Sequence, residues 1–383
     1  MEFLNSPLQR AQELEGVVLE NADTCESQRH LAAPIATAFA ESGLYRIAAP
    51  ADCGGEEVDP ATQIETIETV SRFDGSAGWN LMIGIETFGL VAPCMTTCMD
   101  LIADPQVVMC SSTAAVGHAE RVEGGFRVSG RWQFVSGCHN ASVFGATVRL
   151  HENGAAIADT TNRYAMVPLG QYKILDTWNV SGLCGSGSHD VEVNDVFVPD
   201  DRIVAPIGGY KGDSALARFP LGPRLAYNKV GVSLGIARAG LDAFVDLANG
   251  KIPRFTSKSL RERPHAQRAI GDAEARLRSA RAGVFTLLDE IWRVVIAGEQ
   301  VKPELRALFH IACSDAVRGC AEAVEQVTEA AGTTANQRGH PLERIARDVR
   351  VVRQHVTVAS HHIEDGGRML LGLKPTGMML AGL

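Results

Sequence analysis

Three groups of residues in this chain have types and spacings that suggest chemistry. His355 and His362 stand seven apart, with His361 beside the second. On one helix that spacing puts the pair on a common face, the pattern of a metal-binding or proton-moving pair. A metal would need a third ligand, and Glu364 or Asp365 offers one only weakly, so hydrogen bonding or proton transfer is the expected role. Cys94 and Cys98 are the closest pair among nine cysteines. Nothing nearby completes a zinc set, and they are expected to be ordinary buried thiols. Gly182, Gly185 and Gly187 in VSGLCGSGSHDVEVNDV resemble a nucleotide loop. A dinucleotide fingerprint, however, lies between a strand and a helix. Here strand-like VEVNDVFV follows, so a glycine-rich turn between strands is expected. Walker and HExxH sequences are absent, and no metal is expected.

Composition narrows the partners. Of 383 residues, 45% are hydrophobic and 21% charged, enough for a large core in two or three structural units. The net charge of -9 is spread along the chain with no basic stripe, which argues against nucleic acid and anionic membrane. No run of eighteen apolar residues suggests a spanning helix. The start, MEFLNSPLQRAQELEG, has neither the basic nor the apolar region of a secretory signal. An odd number of cysteines scattered from Cys25 to Cys320 fits reduced thiols, so a soluble, cytoplasmic protein is expected.

The periodicity changes twice. Residues 1–106 read as a helical domain, with Ile35, Ala38 and Phe39 at helical spacing and Asp59-Pro60 opening a helix that carries Ile64, Ile67 and Val70. Residues 107–215 read as short alternating runs between turn residues. In GGFRVSGRWQFVSG, Phe126 and Val128 alternate with polar residues, a Ser-Gly pair follows, and Trp132 and Phe134 resume: a hairpin signature. Strands without intervening helices imply an antiparallel sheet or barrel. Residues 216–383 return to a 3.6 period. Gly231, Gly235, Ala239 and Ala243 form a small-residue stripe that admits a close helix, and four long helices make an up-and-down bundle, the last two about Pro303–Ala331 and Pro341–Leu370. The fold class is α+β, mostly α.

That order of elements, with two motifs, resembles the acyl-CoA dehydrogenase superfamily. WNVSGLCGSGSHDVEVNDVFVP is similar to its W-x-x-x-G-L-R-x-T-x-S-x-D-V-x-x-x-D-V-x-V-P pattern, with Cys184 where Arg is common. PLERIARDVRVVRQHV resembles its E-R-x-x-R-D-A segment. The dehydrogenase base does not carry over. The family's Glu lies nine residues beyond the Arg of the R-D pair, and counting from Arg347 reaches Val356. Valine removes no proton. The usual T-E-P-x-x-G-S-D flavin loop is replaced by CSSTAAVGHAER.

GSAGW (Gly75 to Trp79), GRWQFVSGC (Gly130 to Cys138) and RDVRVVRQH (Arg347 to His355) instead resemble the flavin-dependent monooxygenase branch. The resemblance implies reduced FMN or FAD supplied by a flavin reductase, O2, a C4a-hydroperoxyflavin, and a small organic substrate, an aromatic such as a phenol, indole or polycyclic first, with N-oxygenation of an amine or S-oxygenation next. It places Ser136 beside the flavin N5 and C4a edge and His355 at the substrate pocket, where an imidazole can move a proton near neutral pH. Trp132 would flank the isoalloxazine, Arg254 meet the cofactor phosphates across a subunit boundary, and Ser112 donate a hydrogen bond to the flavin. A pocket His usual in this branch is replaced in GIETFGL, with Glu86 and Thr87 near its place as substrate-binding candidates. A homotetramer is implied by the same resemblance. The alternatives are an acyl-CoA dehydrogenase-like oxidoreductase with a relocated base and a non-catalytic ligand-binding descendant of the fold.

Overall fold

The computed structural model describes residues 4–158, 162–207 and 212–381. They form two compact units. One comprises residues 1–59, 80–180 and 184–212; the other comprises 60–79, 181–183 and 213–383.

The first unit opens with helices α1 (Pro7–Glu13), α2 (Glu15–Gln28) and α3 (Ala33–Glu41). Ser6 and Gln9 close a capping box that starts α1, with Pro7 in the first turn, where its missing N–H costs nothing. The strands are β1 (Met109–Val122), β2 (Gly125–Val135), β3 (Val143–Glu152), β4 (Ala155–Ala156), β5 (Arg163–Pro168), β6 (Lys173–Leu175), β7 (His189–Pro199) and β8 (Ile203–Val204). They form one sheet in the order β6-β7-β2-β1-β3-β5-β8, with β4 beside β3.

The sheet departs from the expected antiparallel sheet or barrel: β1 and β3 pair parallel, so it is mixed. The chain turns back from β1 into β2, then crosses to the far side of β1 for β3, and two turn-backs leave β1 and β3 running the same way. The hairpin also lies elsewhere than the Ser-Gly pair suggested. Ser129 and Gly130 sit inside continuous β2, and the tight turn joins β1 to β2 at Gly124. At Gly130 the register with β7 slips between Val128 and Gly130. A Cβ there would lie 2.7 Å from the Trp132 ring and 2.9 Å from Gly117 Cα, so glycine marks a bulge where backbones close in.

The second unit begins with α4 (Pro60–Phe73). Helix α5 (Gly75–Leu90) follows, its residues up to Trp79 belonging to this unit. Asp74 caps α5, its carboxylate accepting from the Ala77 N–H at 2.8 Å. After α6 (Ala215–Arg218) come three long helices, α7 (Leu221–Gly250), α8 (Pro264–Ile296) and α9 (Pro303–Ala331), then α10 (Pro341–Val352), α11 (His361–Leu370) and α12 (Met378–Ala381). Gly231 and Gly235 of the small-residue stripe meet α4: Cβ atoms there would fall 2.9 Å from the Ile64 carbonyl and 2.3 Å from the Glu68 carbonyl. Gly235→Ala should therefore force backbones apart and cost about 1–3 kcal/mol, read as a lower melting temperature.

The expected fourth long helix is broken over residues 353–360, between α10 and α11. In a continuous helix the carbonyls of Val356 and Thr357 would accept from backbone N–H groups four residues on. Here side chains take them instead. His362 Nε2–H donates to Val356 O at 2.7 Å and His310 Nε2–H donates to Thr357 O at 3.1 Å. His355 thus lies in a turn, off any helical face shared with His362.

Candidate active site

In the sheet unit, the end of β2 gathers the hydroxyls and aromatics. Trp132 is wholly enclosed in the sheet core, against Phe144 at 5.4 Å, with its indole N–H donating to the Thr147 carbonyl at 2.9 Å. Its ring offers a ligand no open face, contrary to a role beside the isoalloxazine. Two residues on, Phe134 is 69% exposed. A second register slip, between Trp132 and Val135, turns it outward with a left-handed φ of 58°. That conformation is rare and strained for a bulky residue, and such strain concentrates at functional sites. The Phe134 ring meets Trp178 edge-on at 6.2 Å. The Trp178 backbone is fixed on both sides: its N–H donates to His189 Nδ1 at 3.1 Å and its carbonyl accepts from Arg29 at 3.2 Å.

Ser136 follows directly after the strand and is buried. Its hydroxyl lies 2.7 Å from that of Ser188, which lies 2.8 Å from that of Ser186. Ser112 is buried on β1, and its hydroxyl accepts from the Ala114 N–H at 3.3 Å beside an irregular stretch between Ser112 and Gly117. On α5, Thr87 is buried with its hydroxyl 3.4 Å from that of Ser111, and Glu86 is half-buried.

In the helical unit, two of the quoted motifs meet. The Trp79 ring of GSAGW packs edge-on against His355 at 5.3 Å. A second junction ties the R-D pair to Ser181–Leu183. The Asp348 carboxylate accepts from the Leu183 N–H at 2.6 Å, and Arg347 donates to the Ser181 carbonyl while pairing with Glu343 at 2.8 Å. Gly182 has no room for a side chain, since a Cβ would sit 2.4 Å from Arg347 O. This is what the glycine there does: it admits close backbone approach.

His355 Nδ1 accepts from the Thr357 N–H at 3.4 Å and lies 2.9 Å from the Thr357 hydroxyl. Its own proton therefore sits on Nε2. Burial, with the positive charge of Lys229 adding to it, pushes this imidazole down to about 3. Near neutral pH it is an uncharged donor through Nε2, where the sequence suggested a group charging and discharging. The loop beneath rests on His310, itself pushed down to about 4 by burial and then by His362. His310 and His362 stack at 4.6 Å, with His361 against His362 and Asp365 facing them. Val356, where a dehydrogenase carries its base, is 61% exposed.

His310 gives a prediction with a definite sign. Its folded value lies below the unfolded 6.5, so its stabilising contribution is full above pH 6.5 and is lost as pH falls toward 4. Each such histidine costs about 1.4 kcal/mol per pH unit below 6.5. Between pH 6.5 and 5, His310→Gln, which keeps an N–H donor, should lose about 2 kcal/mol less stability than the parent in urea titrations.

Arg254 is exposed, in a stretch where Phe255 is fully exposed with φ of 62° and Ile252 is 64% exposed.

The acyl-CoA dehydrogenase C-terminal domain family matches residues 229–360. Indole-3-acetate monooxygenase of Pseudomonas putida is 33% identical over 351 residues, 91% of this chain and 90% of the relative. The chain belongs to the flavin-dependent monooxygenases of the acyl-CoA dehydrogenase superfamily. A flavin-dependent monooxygenase oxygenase subunit, HsaA, of Rhodococcus jostii is 29% identical over 91% of this chain and 93% of its own. The crystal structure of 3-HSA hydroxylase from Rhodococcus sp. RHA1 superimposes with a TM-score of 0.86 at 26% identity, covering 98% and 99% of the two chains.

A monooxygenase of this family requires flavin, and residues present in the sheet unit suit one. The open Phe134–Trp178 edge offers apolar ring surface, and the serine trio offers short hydroxyl donors beside it in sequence. Phe134, Trp178, Ser186 and Ser188 carry no assignment from the sequence. The signal that points to the two serines is their alignment with the T-x-S of the quoted family pattern. His310 and His362 were also missed as supports of the His355 loop; of the two, only His362 stood out in the sequence. Among the described residues, no helix is long and apolar enough to cross a membrane.

Proposed function

We propose that this monooxygenase is the oxygenase component of a two-component system. It takes reduced FMN or FAD from a separate flavin reductase and places one atom of O2 on a small aromatic substrate, an indole or a phenol, while the other leaves as water. The observation that carries this reading is the Pseudomonas relative, 33% identical along nearly the whole chain, whose name specifies indole-3-acetate. The valine at position 356 supports it, since no base for dehydrogenation stands there.

Bound reduced flavin would supply the two electrons that activate O2. The chain's own residues do the rest. Ser136 would offer a hydroxyl to the flavin ring, and Phe134 and Trp178 would cover its apolar surface and exclude water. His355 donates from Nε2 to the substrate oxygen or to the oxygen being transferred. Glu86 and Thr87 line the substrate side, and Ser112 adds a hydroxyl near the cofactor. Trp132 holds the end of β2 rigid from within the core. Arg254 offers a guanidinium to the cofactor phosphates, bidentate recognition that lysine does not reproduce. The homotetramer implied by the family resemblance would let another copy cover the exposed Phe255 and Ile252 beside it.

The test supplies NADH-driven reductase and chain in separate compartments joined by a membrane that passes flavin only. Product should form from indole-3-acetate or a phenol without contact between the proteins. Reduction of tightly held FAD by an acyl-CoA, with no oxygenated product, would contradict the proposal.

A further inference from the structure

Residues 176–180 carry Trp178 yet belong to no helix or strand, so no backbone ladder sets their place. Three hydrogen bonds hold Trp178 there in a closed circuit. Trp178 N–H donates to His189 Nδ1 at 3.1 Å, His189 Nε2–H donates to the Arg29 carbonyl at 3.2 Å, and Arg29 donates to the Trp178 carbonyl at 3.2 Å. Thr177 N–H also reaches Nδ1, at 3.2 Å, while shared with the Leu175 carbonyl at 2.8 Å. Two N–H groups aimed at Nδ1 make that nitrogen an acceptor, so the ring proton sits on Nε2. The circuit is anchored on both sides. Arg29 closes α2 with a left-handed φ of 58° and pairs at 2.7 Å with Asp176, whose carboxylate lies 3.7 Å from Nδ1. His189 opens β7, is 3% exposed, and meets the His139 ring edge-on at 4.9 Å. Its partner across the sheet is Val135, the residue next to Phe134.

We infer that His189 is a positioning residue for flavin binding: its Nδ1 ties the loop of Trp178 to the strand end that carries Phe134, so that the two rings form one preorganised apolar surface. The inference rests on the reading that a flavin ring packs on that surface. What the position needs is an acceptor at Nδ1, and a donor alone does not serve.

The experiment separates the two ring nitrogens in the full chain. His189→Asn puts an amide oxygen near the place of Nδ1 and loses the Nε2 donor, whereas His189→Gln keeps a donor toward Arg29 and loses the acceptor. Two quantities are read. One is the anaerobic Kd for reduced FMN and FAD. The other is acrylamide quenching of Trp178 emission in the free protein, taken as the difference between each variant and the same variant carrying Trp178→Phe. Melting temperatures within a few degrees of the parent establish folding. Trp178→Ala should weaken the Kd about 10-fold, the upper scale of one aromatic contact. His189→Gln should weaken it about 5-fold, the scale of one neutral hydrogen bond, and leave Trp178 more open to the quencher. His189→Asn should recover most of both losses. Added to Trp178→Ala, His189→Gln should cost nothing further, because both changes spoil one surface. Equal losses in the Asn and Gln variants, or a His189→Gln effect that persists without Trp178, would overturn the inference. If Trp178→Ala leaves the Kd unchanged, the reading of the flavin surface has failed and the inference falls with it; unchanged quenching in His189→Gln faults the contact itself. In the parent, the 176–180 amides should exchange slowly with deuterium, and exchange at the rate of an open loop would overturn the inference without any variant.

Discussion

Ser136→Ala is expected to leave the fold intact and to cut the yield of oxygenated product per reduced flavin about 100-fold, with hydrogen peroxide taking its place. The size follows from losing one preorganised donor at a point where charge changes in the reaction, which elsewhere costs about 100- to 1,000-fold. The fold should tolerate the change because the side chain shrinks by one atom and the neighbouring hydroxyls keep each other: Ser186 still lies 2.8 Å from Ser188. Stopped-flow absorbance would read it as a shorter delay between mixing with O2 and the return of the oxidised-flavin spectrum. A peroxide assay closes the balance. An unchanged delay with unchanged product would remove Ser136 from the site.

The second large effect is expected at His355. His355→Ala should lower turnover about 100-fold, within the range for a positioned proton-handling group. Its particular signature is in the pH dependence. An imidazole pushed down to about 3 stays neutral from pH 6 to 9. The parent should therefore show no inflection near 6.5 from this group, and His355→Gln, which retains an N–H donor, should recover part of the loss. An inflection near 6.5 that vanishes in His355→Gln would mean that substrate raises the imidazole into the neutral range, making it a proton carrier rather than a fixed donor. Thr357→Val should weaken the same site by a smaller factor, since the Thr357 hydroxyl lies against His355 Nδ1.

How much of this was legible beforehand depends on the range of the forces involved. The order of helices, strands and bundle is local: periodicity, Pro at helix starts and small-residue stripes wrote it directly into the sequence, and Gly231 and Gly235 meet α4 as their spacing implied. The hairpin was misread because Ser-Gly is a turn signal, while here glycine serves a bulge beside the Trp132 ring. One register slip, between Trp132 and Val135, then separated Trp132 from Phe134, leaving the first in the core and turning the second into the open. Alternation alone carries no trace of such a slip. The break before α11 was invisible for a different reason. The carbonyls that a helix would have satisfied accept from His310 and His362, and His310 lies 47 residues from its acceptor. The serine row depends likewise on a turn at 184–186 meeting the end of β2, a contact between distant segments. Motif resemblance names Ser136 and His355 as candidates by position; the groups packed against them emerge only from the fold.

The measurement that bears most directly on the whole account is a single turnover with oxygen-18. The chain, photoreduced FMN or FAD and indole-3-acetate are mixed with ¹⁸O2 in the absence of any reductase, and product is analysed by mass spectrometry. Product should carry one labelled oxygen atom, in an amount approaching the reduced flavin supplied. Flavin reoxidation at the rate of free flavin with only peroxide formed, across indole and phenol substrates alike, would contradict it.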